Sequence, residues 1–221
     1  MSALSARDGY RLWAPQYHAE TAISHLEERL VGAMGVPTDG RALLDVGCGT
    51  GRRLSNSDAS VAVGIDLSPE MLARARGTKT VAAADALALP LRSDWFDVAW
   101  CRLVVGHMRD LAGAYAELAR VSVTGGDVIV TDFHPSAFAA GHRRTFRDAT
   151  GATVEIEHHV HTVESQIGAA RAAGLELVTQ REGTVGAEVR EFFAKANRLD
   201  AYAAQLGLPL VIAWSFRKRA A

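Results

Sequence analysis

The chain has 221 residues, 48% of them hydrophobic and 22% charged, with a formal net charge of −1. That is ordinary for a globular protein, and long enough for one domain over 1–221 with a large core. Near-neutral charge excludes the global field that draws in nucleic acid or an anionic membrane, and no stretch approaches the roughly 20 apolar residues of a membrane span.

Residues 1–38 carry "YRLWAPQYHAE" (10–20) and a helical pattern through Leu30, with no strand beside them, and are expected to cap the ligand face of a sheet. "RALLDVG" (41–47), "VAVGIDL" (61–67), "DVAWCRL" (97–103) and "DVIVTDF" (127–133) are short and rich in Val, Ile or Leu, as buried parallel strands are. Between them, "SPEMLARARG" (68–77) and "LAGAYAELARV" (111–121) predict helices, the first with Ser68 as N-cap and Pro69 at its first position. "TGG" (124–126) reads as the stop before the next strand. Strands alternating with helices over 39–133 imply right-handed crossovers and an α/β, doubly wound, mostly parallel sheet.

Past that core, "RTFRDATGATVEIEHHVH" (144–161) predicts a β-hairpin turning at "DATG", within a segment 134–162 that follows the fifth strand. Region 163–221 then holds the rest of a helix over 162–174 and two strands, 175–183 and 208–218, expected to pair at a late, antiparallel sheet edge. Cys48 and Cys101 make no disulfide framework, and "MSALSARDGYRLW" has no apolar core behind a basic start, so a cytoplasmic protein is expected.

"LLDVGCGTG" (43–51) carries the most chemistry. A buried strand ends at Asp45 and opens into Gly47, Gly49 and Gly51, whose missing Cβ atoms let a backbone turn tightly against a ligand. A carboxylate ahead of the glycines would repel a pyrophosphate but accepts hydrogen bonds from a ligand amine. Asp66 closes the second strand where a carboxylate takes both ribose hydroxyls of an adenosine, and Asp85, in "AADALALP", suits the adenine amino group.

With "DVGCGTG", "GIDLSPEML", "D…LP" and "FDV" blocks in order, the chain resembles the class I S-adenosylmethionine-dependent methyltransferases, in particular the small-molecule, type 11-like group. The resemblance covers residues 40 to 133 well. It implies a Rossmann-like core, S-adenosylmethionine as cofactor and S-adenosylhomocysteine as product. It puts Gly47, Cys48, Gly49 and Gly51 along the methionine end, Asp45 at the amino group, Asp66 on the ribose, and Asp85 with Ala86 at the adenine. Leu67 and Met71 would pack on the ring, Met71 being equally suited to the core. Cys101 falls where the strand end passes the cofactor, and is otherwise a small buried residue. After the fourth strand the chain reads "CRLVVGHM" in place of the "NPPY" run of methyltransferases acting on adenine or glutamine.

Methyl transfer needs in-line positioning and exclusion of water, and a base only where the acceptor must lose a proton. His107 and His134 both follow strands at their ligand ends, and each is either that base or a loop histidine making structural hydrogen bonds. Tyr10, Trp13 and Tyr17 either close over acceptor and cofactor or pack a helix onto the sheet. In "EIEHHVH" (155–161), strand alternation would send His159 and His161 to one face and His158 to the other. A metal is therefore not expected there; the three either shape the acceptor pocket or sit half-exposed on a hairpin.

The expected activity is methyl transfer to oxygen, nitrogen or carbon of a small-molecule acceptor, with no nucleic acid or membrane partner. A nicotinamide-dependent oxidoreductase is the competing enzyme class, but it calls for Gly-x-Gly-x-x-Gly, and position 52 is Arg. A non-catalytic S-adenosylmethionine-binding protein is the third reading, which the intact carboxylates oppose.

Overall fold

The computed structural model describes residues 3–17, 20–75 and 80–220. Helices α1 (Ala6–Trp13) and α2 (Ala22–Met34) come first, followed by β1 (Ala42–Val46), a short α3 (Arg52–Ser55) and β2 (Val61–Asp66). Then come α4 (Pro69–Leu72), β3 (Thr80–Ala83), β4 (Phe96–Arg102), α5 (Leu111–Val121) and β5 (Ser122–Phe133). Helix α6 (Pro135–Ala139) leads into a hairpin of β6 (Thr145–Arg147) and β7 (Thr153–Glu155). Helix α7 (Val163–Ala172), β8 (Leu175–Thr184), helices α8 (Arg190–Lys195) and α9 (Leu199–Ala204), and β9 (Pro209–Lys218) complete the order.

The main sheet runs β3-β2-β1-β4-β5-β9-β8. Strands β1 to β5 pair in parallel, and β9 is antiparallel to both its neighbours, so the antiparallel strand lies just inside the edge strand β8. Both faces are covered, which is why β1 reads as an apolar run without alternation. On one face Leu43 and Trp100 pack with Val31 and Met34 of α2. On the other, Leu44, Val46 and Cys101 pack with α5 and α7, α5 giving its stripe of Leu111, Ala114, Tyr115 and Leu118. Strand order reverses between β1 and β4, which opens a crevice beyond their carboxyl ends, the usual ligand position in such sheets.

Several elements depart from expectation for identifiable reasons. "TGG" (124–126) does not stop before a strand but lies inside β5, where the register against β4 shifts between Phe96 and Val98. Helix α5 itself spans 111–121 as expected, and ends at Val121. The helix expected over 68–77 is a single turn, Pro69–Leu72, and the end of that expectation, Gly77, lies outside the described residues. The hairpin is also much shorter than predicted. After Glu155 the chain pairs with the N-terminal segment: Leu4 N donates to Glu155 O (2.9 Å) and Glu157 N to Leu4 O (2.7 Å). It then crosses the turn at Val105–His107, with His159 N donating to Gly106 O at 2.6 Å. His158, His159 and His161 are therefore on an irregular segment, and strand alternation does not sort them.

The cap is divided. Helix α1 borders the crevice along its length, while α2 reaches it with Ile23 and Ser24 and is otherwise a layer on the sheet, held there by Glu27, whose relative exposure is 0%. Its carboxylate accepts from Arg102 Nε (2.7 Å) and Nη2 (2.9 Å), Arg53 Nη2 (3.0 Å) and Thr131 Oγ1 (3.0 Å). Among the described residues no helix is long and apolar enough to cross a membrane. Removing one member of a buried pair strands the other charge, at a cost of about 3–5 kcal/mol. Glu27→Gln is expected to lower stability by about that much in urea denaturation, and a loss below about 1 kcal/mol would show that the network holds little.

Candidate active site

The glycine loop gets its shape from backbone that other residues avoid: Gly47, Gly49 and Gly51 sit at φ of 75°, 57° and 69°. A Cβ on Gly47 would run into Val104, and one on Gly49 would stand 3.1 Å from Met71 Cε. Gly47 N and Cys48 N both donate to Ile65 O, at 2.7 and 3.0 Å, which folds the loop back over the end of β2. Asp66 fastens it there, its Oδ2 accepting from Gly49 N and its Oδ1 from Ser68 N, both at 2.8 Å. Each oxygen keeps a lone pair for a further donor. Burial raises the Asp66 carboxyl above its usual range, and these backbone donors oppose that.

Asp45 lies beneath the loop, fully buried, and neither of its oxygens has a hydrogen-bond partner. Its register neighbour Trp100 also buries Nε1 unpartnered, as does Arg53 its Nε. Burial pushes the Asp45 carboxyl up to about 6, against the pull of Arg53 and Arg102. Four buried polar atoms are thus unpartnered here, and of their three residues Arg53 borders the cavity above the loop.

Above the sheet end a cavity of about 1440 Å³ is bordered by the loop and by α1, the β4 turn and the hairpin. That exceeds the roughly 300–1,000 Å³ of a single-ligand pocket, so two ligands fit together. On one side lie Gly47, Cys48, Gly49, Asp66, Leu67, Met71, Asp85 and Ala86. On the other lie Tyr10, Trp13, Tyr17, His107, Phe133 and Arg144. Asp85 Oδ1 accepts from Leu87 N at 2.9 Å. Gly51 stands back from the wall as the N-cap of α3, and Cys101 is wholly within the core, away from the cavity.

On the acceptor side the aromatic residues pack on one another as well as bordering the space. Trp13 stacks on Phe146 (centroids 5.2 Å apart) and meets Tyr17 edge-on at 4.8 Å. Tyr10 Oη lies 3.0 Å from His107 Nε2, and His107 Nδ1 lies 3.0 Å from Glu157 O. A carbonyl only accepts, so Nδ1 carries the proton and Nε2 accepts from Tyr10. Burial, reinforced by Arg144, holds His107 well below the usual histidine range, and the ring is neutral.

His134 is not brought to this cavity. It N-caps α6, Nδ1 accepting from Ser136 N at 3.1 Å, with Nε2 3.7 Å from Glu182. The histidine cluster also disperses. His158 is buried against Phe138, with Nε2 3.9 Å from Asp132, and burial lowers it to about 3. His159 turns to Glu157 at 3.6 Å, and His161 Nε2 meets Met108 O at 2.8 Å. None of the three borders the cavity.

Sequence reasoning missed Glu27, Arg53 and Arg102; for Arg144, in "GHRRTF" with His142 and Arg143, it offers two readings, a clamp for an anionic substrate group and a solvated turn. Glu27 had a signal: it falls on the apolar stripe Ile23, Leu26, Leu30, where a carboxylate needs a buried partner. Leu103 is another, at φ 60° with its N–H donating to Thr131 O and Oγ1, and a non-glycine residue held there is unusual.

The family model described as "Methyltransferase domain" matches residues 44–130. A malonyl-[acyl-carrier protein] O-methyltransferase of Serratia marcescens is 36% identical over 176 residues, 76% of this chain and 66% of that protein. The 27-O-demethylrifamycin SV methyltransferase of Amycolatopsis mediterranei is 28% identical over 188 residues, 76% of this chain and 69% of its own length. The chain thus spans about two thirds of the length of these relatives. A solved S-adenosylmethionine-dependent methyltransferase from Mesorhizobium loti superposes with a TM-score of 0.67 at 25% identity, over 87% of this chain and 98% of that one.

The buried Asp45 carboxyl has a measurable consequence. Below about pH 4 it is protonated in both folded and unfolded chain, and above about 6 it is ionised in both, with only the folded state bearing the desolvation penalty. The ligand-free protein should therefore lose about 3 kcal/mol of stability through Asp45 as pH rises across that window. Asp45→Asn is expected to remove this component in urea denaturation at pH 4, 5, 6 and 7; equal pH profiles for the two proteins would refute it.

Proposed function

Since the chain belongs to the class I S-adenosylmethionine-dependent methyltransferases, we propose that it transfers a methyl group to an oxygen atom of a small-molecule acceptor inside the crevice. The observation that carries this is the unpartnered carboxylate of Asp45 beneath a loop whose glycines leave no room for side chains. The cytosol, where two buried free thiols stay reduced, is the compartment we propose.

The residues fit S-adenosylmethionine. Asp45 and the backbone of Gly47 to Gly49 would hold its methionine end, Asp66 its ribose, and Asp85 with Ala86 its adenine, between Leu67 and Met71. When bound, it supplies an electrophilic methyl group on a sulfonium. The remaining contribution of the chain is placement and dryness: α1 roofs the space, and Tyr10, Trp13 and Tyr17 present rings to it. Oxygen is favoured as acceptor atom by the Tyr10–His107 pair. An acceptor hydroxyl beside Tyr10 passes its proton through the Tyr10 hydroxyl to Nε2, while the Nδ1–H bond to Glu157 O keeps the ring in that tautomer. The names of the two relatives, one acting on malonyl-[acyl-carrier protein] and one on a rifamycin, support oxygen as well.

Calorimetric titration with S-adenosylmethionine and, separately, NAD tests the cofactor; binding of NAD and not S-adenosylmethionine would sink the reading. For an acceptor hydroxyl, His107→Ala is expected to cut kcat about 10²–10⁴-fold with cofactor affinity unchanged. Because His107 is held well below the usual histidine range, wild-type kcat should stay level as pH falls through 6.5. Unaltered kcat in the variant removes the base.

A further inference from the structure

Arg41, Arg53, Arg102 and Arg217, which lie against the sheet, are matched with carboxylates, and Arg144 on the cavity wall is not. Arg102 presents its Nε–Nη2 edge to both oxygens of Glu27, at 2.7 and 2.9 Å, and Arg217 presents the same edge to Asp127. Arg144, just before β6, donates from Nη1 to the Tyr10 hydroxyl at 3.1 Å, and its guanidinium lies 4.8 Å over the Phe133 ring. Its Nε and Nη2 are both buried and have no hydrogen-bond partner. Among the described residues no carboxylate is within ion-pairing distance of it. The titratable groups that its charge acts on include Asp132, which burial pushes up to about 7, Tyr17, which burial pushes up to about 12, and the neutral rings of His107 and His158. His158 Nδ1 is a further buried atom without a partner.

A guanidinium does not lose its charge at any working pH, and an unmatched buried cation is costly. Its two free N–H groups share one planar edge, the edge that meets a carboxylate or phosphate in a two-bond contact. Arg144 borders the cavity alongside Tyr10, His107 and Phe133, on the side opposite Asp66 and Asp85. We propose that Arg144 recognises an anionic group of the acceptor, a carboxylate or a phosphate, along its Nε–Nη2 edge. This rests on reading the cavity as a methyl-transfer site. The acceptor is then an acid bound by its charge at Arg144, with its reacting oxygen set towards Tyr10. The shared hydrogen bond makes Tyr10 a reporter of occupancy as well as a donor to His107.

The test uses full-length protein saturated with S-adenosylhomocysteine and titrated by calorimetry with malonate, benzoate or inorganic phosphate. Wild type is expected to bind at least one of them with Kd below about 1 mM, and Arg144→Gln to weaken that binding about tenfold or more. Arg144→Lys, which keeps the charge without the planar edge, should fall between. Arg147→Gln, removing an equal charge from the exposed face of the same hairpin, should bind within about twofold of wild type. Preference for malonate and benzoate over phosphate assigns a carboxylic acid, and the reverse a phosphate ester. If no anion binds wild type, or Arg144→Gln binds as well as wild type while S-adenosylhomocysteine still binds both, the inference is overturned alone. If wild type fails to bind S-adenosylhomocysteine, the methyl-transfer reading falls and takes the inference with it.

Discussion

A glutamate with no solvent exposure holds this site together. Glu27 comes from a helix that precedes the whole sheet, yet its carboxylate takes donors from the end of β4, from β5 and from the helix after the glycine loop. Burying one anion between two guanidinium groups is tolerable only with good geometry and satisfied lone pairs, and all four donors here are within 3.0 Å. The consequence lies next door. Because Arg53 and Arg102 are committed to Glu27, they pull on the Asp45 carboxyl without giving it a hydrogen bond, and burial raises it to about 6. The fold thus stores an unsatisfied carboxylate under a loop open to a ligand.

The cavity is electrically two-sided. Its floor on the β1–β3 side presents carboxylates, Asp66 and Asp85, above the buried Asp45. Its opposite wall has the permanently charged guanidinium of Arg144 and the His107 ring, which burial keeps neutral. In the proposed reading the first side takes the cofactor and the second the acceptor.

The parts of the fold governed by local pattern were legible. Buried parallel strands show as short apolar runs, and β1, β2, β4, β8 and β9 all lie within a residue or two of their expected bounds. The family resemblance built on "DVGCGTG" and its companion blocks is supported by the domain match over 44–130 and by the solved structure. Elements decided by distant partners were not legible. The hairpin gives up its length because residues near Leu4 compete for the backbone of Glu155 and Glu157, a contact no local pattern announces. The histidines after it then follow a path set by Gly106, and the alternation rule had no strand to act on. His134 has the sequence position of a base but the geometry of a helix cap, and "HPS" was the overlooked sign. Arg144 was legible only as a choice, with His142 and Arg143, between an anion clamp and a solvated turn, and the aromatic residues around it could not be foreseen.

The central claim is that the free protein holds Asp45 as a partly protonated, unpartnered carboxyl which a cationic ligand amine converts to a carboxylate. Calorimetry of S-adenosylhomocysteine binding at pH 6, repeated in buffers of differing ionisation enthalpy, measures that conversion as protons released. With Asp45 at about 6 in the free protein, roughly half a proton should leave on binding to wild type and none on binding to Asp45→Asn. Equal proton release from both proteins, or none from either, would contradict the claim.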